Sequence, residues 1–202
     1  MSRIRIFIPI ILAILFCCTN IQARTDNETK NKQNKVYVVE IFWYGCPHCY
    51  AFEPYIRKWL DTKPENVVFQ LMPGVLNNKW IPHAKAFFVA QKLGIEDKIH
   101  DKLFDAIHKE KRKLRDEDNL KDFFVEQGVD GEEFSRIYNS PETSNMVRQA
   151  YETEMRYRIT SIPTIIINGK YIINTSLARN YANMLKLMDR YVDKESSRPG
   201  AP

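Results

Sequence analysis

The stretch "VEIFWYGCPHCYAFEP", residues 39–54, sets two cysteines three positions apart directly after an apolar, β-branched run. "VYVVEIF" (36–42) reads as a buried strand, because a short run of valine, isoleucine and aromatics bounded by turn residues suits a strand covered on both faces. Pro47 then stands where a helix would begin, at the position where a missing N–H costs nothing. Tyr50, Phe52, Tyr55, Ile56, Trp59 and Leu60 continue with helical apolar faces, and Pro54 within that run is expected to kink the helix by removing a backbone donor. "NVVFQLM" (66–72) is a second strand of the same kind. Strand, helix and strand in so short a span make a βαβ unit, which closes a parallel pair by a right-handed crossover.

The cysteine count depends on the N-terminus. Met1 to Arg5 carries two arginines and no acid, Ile6 to Cys18 is almost wholly apolar, and Ala23 supplies a small residue at the end of "TNIQA". That is the plan of a secretory signal peptide, expected over residues 1–23; the apolar run is interrupted by Pro9 and is short of the ~20 residues a membrane span needs. Acylation of Cys17 or Cys18, as in a lipoprotein, is disfavoured because "ILF" before them lacks the small residue that processing prefers. Removal of 1–23 leaves Cys46 and Cys49 with no other cysteine to pair with. A bridge closing so short a loop removes little unfolded-state entropy, so redox chemistry or metal binding explains the pair better than a structural staple.

The formal net charge of +5 falls further once Arg3 and Arg5 are lost. So mild an excess argues against a nucleic-acid partner and against a strongly anionic membrane patch. "KEKRKLRDEDN" (109–119) mixes both signs and reads as a solvated helix end or loop. Residues 24–35 and 194–202 read as polar tails. From Asn78 to about Arg158 the apolar spacing is helical, with stretches ending at Gly94 and Gly128. "PTIIIN" and "KYIIN" then flank Asn168-Gly169, a strong hairpin signal, and Tyr181, Met184, Leu185, Met188 and Tyr191 define a final helix. The expected class is α/β: a first part at 36–76, an inserted all-helical subdomain with its own small core at 77–158, and a second part at 159–193.

Several side chains acquire chemical meaning from this layout. Cys46 falls just before Pro47 at a helix N-terminus, where unpaired amides and the macrodipole favour an anion. His48 can add a hydrogen bond or a positive charge, and the Cys49 thiol can donate to the Cys46 sulfur, so the Cys46 thiol should ionise far below a free one. Cys49 should be the buried partner. Glu40 is an acid in a strand that should be apolar throughout; from the sequence alone it reads as an exposed, edge-facing glutamate. Glu53 is either its partner or a solvent-facing acid. Pro163, opening a strand in a tight turn, is where cis bonds are found. His83, His100 and His108 show no ligand spacing with the cysteines and read as surface or capping residues, and structural zinc would want four ligands.

The pair "CPHC" at a first strand-to-helix junction, within this layout, resembles the thioredoxin-fold thiol oxidases of the DsbA family. The resemblance extends through "EIFWYGCPHCYAFE", "KLGIEDKIHDKLFDAI", "GVDGEEFSRIYNS" and "SIPTIIINGKYIIN", which together touch most of residues 36–192. It implies a thioredoxin fold with a helical insertion and a redox-active Cys46–Cys49 disulfide flanked by Pro47 and His48. It also implies a buried functional Glu40 and a cis-Pro163 loop, with Ile162 touching the disulfide and offering backbone to a substrate. Phe42, Trp43 and Tyr44 are expected to supply apolar surface for substrate chains. No cofactor or metal is implied beyond the disulfide. The implied partners are unfolded exported proteins with free cysteines and a DsbB-type membrane quinone reductase, met by a monomer in the periplasm. An exported isomerase or reductase, a thiol-independent peptide-binding chaperone and a metal-binding protein remain open; the short polar stretch before the first strand leaves no room for the dimerisation domain of DsbC-like isomerases. Pro54 departs from the best-known family member and matches thioredoxins instead.

Overall fold

The computed structural model describes residues 35–198; the expected signal segment with Cys17 and Cys18, and the ends of both polar tails, lie outside the described residues. Strand β1 (Val36–Phe42) and helix α1 (Pro47–Leu60) form as read, with α1 starting on Pro47. Helix α1 runs through Pro54 to Leu60 without a break. Pro54 is exposed, so its ring is accommodated on the solvent side of the helix. Strand β2 (Val67–Pro73) pairs parallel with β1, placing Leu71 opposite Glu40.

Five helices precede the return to the sheet. They are α2 (Ile81–Lys92), α3 (Glu96–His108), α4 (Glu117–Glu126), α5 (Gly131–Tyr138) and α6 (Pro141–Arg156). Asp116, Asp130 and Ser140 cap the last three, each side chain accepting from the backbone N–H three residues on. Strands β3 (Thr164–Ile167) and β4 (Tyr171–Asn174) then complete a four-stranded sheet in the order β2-β1-β3-β4, with β3 antiparallel to β1 and Ile165 on the other side of Glu40. The β3–β4 turn has Asn168 at φ +47° and Gly169 at φ +64°, and Lys170 N–H donates to the Ile167 carbonyl at 2.9 Å. Two successive positive φ values are what a type I′ turn needs, which is why asparagine and glycine stand there. A Cβ on Gly169 would also lie 2.6 Å from the Tyr157 hydroxyl. The chain ends with α7 (Thr175–Ala178) and α8 (Tyr181–Ser196).

Two apolar clusters account for most of the interior. Phe52, Ile56 and Trp59 of α1 meet Met184, Met188 and Val192 of α8 over Val36 and Val38 of β1. The helices between β2 and β3 bury Phe87, Leu103, Phe104, Phe124 and Phe134, and that cluster continues without a gap into Phe42, Tyr44, Cys46 and Cys49. The core of the helical region is thus shared with the cysteine turn, which lies on the seam between the two packing units.

Glu195 of α8 ties the last helix to the hairpin. Its buried carboxylate accepts from Asn168 Nδ2 at 3.0 Å, Lys170 Nζ at 2.8 Å and the Tyr171 hydroxyl at 3.1 Å. Burial pushes this carboxyl up, but those hydrogen bonds and the charge of Lys170 outweigh it and hold it down to about 2. A depressed carboxyl stabilises the fold above its unfolded value and loses that contribution as pH falls toward the folded one. Glu195→Gln is therefore expected to cost roughly 2 kcal/mol at neutral pH, a difference that shrinks as urea unfolding is repeated toward about pH 3. A pH-independent difference would remove the ionic explanation.

Candidate active site

Cys46 is the N-cap of α1, with extended backbone at φ −88° and ψ 115°. Its Sγ takes the place usually held by a serine or aspartate oxygen and accepts the N–H of Cys49 at 3.2 Å. The turn is held by the Cys46 N–H, which donates to the Trp43 carbonyl at 2.9 Å. Gly45 is required here by close approach: a Cβ on it would fall 2.3 Å from the indole of Trp43. Both cysteines are free thiols, and they differ in access, since Cys46 retains 6% of its surface and Cys49 none.

Electrostatics separates them further. The Cys46 thiol is lowered to about 6, first by the hydrogen bond from the Cys49 thiol, against the opposing effect of burial, and then by the N–H groups of Cys49 and His48 and the charge of His48. The Cys49 thiol is pushed far up by burial, by its hydrogen bond to Cys46 and by the Cys46 charge, with the Glu40 charge acting in the same sense. The ranking reorders the sequence-based expectation: the imidazole of His48 is exposed and is the smallest contributor, while the partner thiol is the largest. Tyr181, at the start of α8, had no signal in the sequence beyond its apolar spacing. Its hydroxyl donates to the His48 carbonyl at 3.0 Å and lies 3.4 Å from Nδ1 of the same residue.

Glu40 shares the strand face of Val38 and Phe42, under α1. It is fully buried, and neither carboxylate oxygen has a partner among the described residues. Its carboxyl is raised well above the ordinary range by burial and then by the charge of Glu53. Glu53, one turn after Cys49, is buried too and is not solvent-facing. It begins a chain of polar contacts: Glu53 Oε1 lies 3.2 Å from His100 Nε2, and His100 Nδ1 lies 3.2 Å from the Tyr44 hydroxyl. Arg57 Nη2 sits 3.7 Å from the other Glu53 oxygen and pairs with Asp101 at the surface.

The histidines correct the sequence reading. His83 and His100 are buried, and all three clasp the segment before Cys46: His108 Nε2 donates to the Tyr44 carbonyl at 2.8 Å and its ring stacks on Tyr50 at 4.7 Å, while His83 packs beside Trp43 and Tyr44. His100, Phe104 and His108 are spaced four apart on α3, so one helical stripe was present in the sequence to announce them. Phe42 and Tyr44, expected at the substrate surface, are buried instead. Their rings meet edge to face at 5.0 Å and pack on Phe104 and His100, because helix α3 covers this end of β1. Trp43 remains half-buried, stacked on Trp80 at 4.7 Å. The Ile162–Pro163 bond is cis, as read, and Ile162 is half-buried against the cluster that contains both cysteines. Among the described residues no group of three or more histidine, cysteine or acidic side chains is arranged to hold a metal.

Comparison with known proteins gives one answer at each level. Residues 37–186 match the DSBA-like thioredoxin domain family. The thiol:disulfide interchange protein DsbA of Pseudomonas aeruginosa is 39% identical over 165 residues, covering 82% of this chain and 78% of the relative. The protein of that name from Azotobacter vinelandii is 36% identical over 163 residues, covering 81% and 76%. Among solved structures, P. aeruginosa DsbA superposes with a TM-score of 0.75 at 40% identity over 80% of this chain and 84% of that one. The oxidoreductase DsbA from Xylella fastidiosa gives 0.76 at 31% identity over 82% and 88%. The thiol-capped helix and the buried acid below it therefore stand in a setting shared along nearly the whole described chain, which belongs to the DSBA-like thioredoxin domain family.

Proposed function

We propose that this protein is a thiol:disulfide interchange protein that donates its Cys46–Cys49 disulfide to exported proteins as they fold. The observation that carries the reading is the asymmetry of the two thiols: one reachable and held toward its thiolate, the other enclosed and held protonated. A reduced form stabilised in this way makes the corresponding disulfide oxidising.

In the oxidised protein a substrate thiolate attacks Cys46 Sγ, the Cys46–Cys49 bond breaks, and the electron pair leaves on Cys49. The high proton affinity of the enclosed Cys49 means that its thiolate takes up a proton, and Glu40, protonated because it is buried, is the group we assign to supply it. The second thiolate of the substrate then attacks the substrate's own sulfur in the mixed disulfide, and Cys46 departs as a thiolate held by the α1 N-terminus. The substrate has lost two electrons and gained a disulfide, and the protein is left as the dithiol. Pro47 starts the helix that makes Cys46 a good leaving group, and His48 adds charge beside it. Ile162 and cis-Pro163 offer apolar contact and backbone beside the sulfurs, and Trp43 offers an aromatic edge. The reading includes export to the periplasm behind a signal segment at 1–23, a helical insertion at 77–158 between the thioredoxin parts at 36–76 and 159–193, and reoxidation by a DsbB-type membrane quinone reductase.

The first test is the reduction potential as a function of pH, from equilibration with glutathione followed by thiol trapping. With Cys46 ionising at about 6, the potential falls by about 59 mV per pH unit below that point, where two protons accompany two electrons, and by about 30 mV per unit above it. A break near ~8.5, the free-thiol value, or a potential as low as the ~−270 mV of thioredoxin, would sink the oxidant reading. Cys46→Ser is expected to abolish oxidation of a reduced model peptide; retained suppression of aggregation with no redox activity in the unaltered protein would point to a chaperone.

Glu40 gives a second prediction. A carboxyl raised on folding holds its proton in the native state, so stability declines as pH climbs above the ordinary value of 4.5. Glu40→Gln should raise unfolding free energy by roughly 1–3 kcal/mol at neutral pH and leave it unchanged near pH 4, while slowing substrate oxidation. Faster or unaltered oxidation would remove Glu40 from the proton path.

A further inference from the structure

Beside the cysteine turn lies a cavity of about 620 Å³ whose wall includes Trp43, Gly45 and His83. Its rim carries Lys79, Lys111, Lys113 and Arg115, and no acidic residue lines it. None of these four cations forms an ion pair among the described residues. Their neighbour Arg112 differs: it makes a two-pronged pair with Glu126 at 2.7 and 2.8 Å and lies over Phe123, anchoring the loop to α4. The loop after α3 is thus fastened by one arginine, and the remaining positive charge is left around the cavity.

The cavity also holds two polar atoms that the protein does not satisfy. Trp43 Nε1 and His83 Nδ1 are both buried and without a partner, and His83 retains only 4% of its surface. His83 Nε2 is bonded to the Leu114 carbonyl. A carbonyl can only accept, so Nε2 carries the proton and Nδ1 presents a lone pair. Burial, then the charges of Arg115 and His108, keep this ring neutral by lowering it to about 4 despite the Leu114 bond. Two residues of the cavity wall therefore carry an unsatisfied donor, the indole N–H, and an unsatisfied acceptor, the imidazole nitrogen, both enclosed in the unliganded protein. A peptide group carries the complementary C=O and N–H, whereas a lipid phosphodiester offers acceptors alone and would leave Nδ1 facing an anion.

We propose that this cavity is a substrate subsite, which binds an acidic segment of the client chain beside its reacting cysteine. The lysines and Arg115 take its carboxylates, and its backbone lies against the wall that Trp43 and His83 form, where the unsatisfied indole N–H and imidazole nitrogen become reachable as the segment seats. The placement beside the reacting cysteine follows from Gly45, which lines the cavity and adjoins Cys46. The subsite biases exchange toward clients of opposite charge, by the steering and register that complementary charge provides. The inference rests on the disulfide-donor reading for its consequence, but the binding itself is measured separately from redox chemistry.

The probe is a pair of peptides that differ in glutamate or glutamine at two positions beside a serine replacing the reacting cysteine. Each is titrated into the ¹⁵N-labelled dithiol protein while the indole N–H resonance of Trp43 is followed. The glutamate peptide is expected to shift that resonance saturably and to bind about three- to tenfold tighter than its counterpart. The difference should collapse in 0.5 M salt and in Lys113→Gln/Arg115→Gln, whose affinity for the glutamine peptide is unchanged. Equal affinities, a preference that survives in the double variant, or tight binding of phosphatidylglycerol vesicles that the peptide does not displace would each overturn the subsite. Cysteine versions of the same peptides report on oxidation, so a failure of the donor reading leaves a distinct record.

Discussion

A sulfur capping a helix is the contact on which the site depends. The first turn of α1 has amides without intrahelical partners, and Cys46 Sγ receives one of them at 3.2 Å. A thiolate fills that position better than a sulfur tied into a disulfide, because the amides and the macrodipole stabilise charge. The hydrogen bond from the Cys49 thiol contributes most and these amides add to it, lowering the Cys46 thiol from 9.0 to about 6, roughly 4 kcal/mol of preference for the ionised form. At neutral pH a part of that preference, roughly 1.4 kcal/mol for one unit between thiol and solution, falls to the reduced state. Pro47 places the cap, Ile162 before β3 packs against the cluster that contains both cysteines, and Gly45 lets Trp43 close over the turn.

The space beneath the cap has the opposite character, since the acid there is enclosed and its charged form is disfavoured. Glu40 has no hydrogen-bonding protein group, so the neutral carboxylic acid is its favoured state. Glu53 strengthens that bias from above and is itself tethered through His100 to Tyr44. The buried polar contacts thus link α1, α3 and the residue two before Cys46, and they explain why helix α3 must pack on the cysteine turn. A helical region folded as an independent unit would take His100 away from Tyr44 and Glu53 and leave Phe42 exposed.

The charge around the Trp43 and His83 cavity comes mostly from the loop that follows α3. In the sequence that loop read as a solvated helix end, since cations and acids alternate along it. Folding sorts the two signs: Glu126 reaches over to Arg112, Asp116 turns away to cap α4, and the cations at 111, 113 and 115 gather with Lys79 from a distant turn.

The sequence by itself determined the strands, the first helix and its proline start, the hairpin at Asn168-Gly169, and the placing of Cys46 and Cys49 in one turn. Each of those is local: period, turn chemistry and cap position act within a few residues, and a thiol at a helix start is polarised by its own turn. Tertiary structure decided which groups surround the sulfurs. Nothing in the spacing of Tyr44 and Glu53 announces that both meet His100, and the expectation that Phe42 and Tyr44 face substrate failed for the same reason. Burial and the direction of an ionisation shift are set by neighbours from other elements, and those neighbours exist only once the sheet and the helices have closed over the turn.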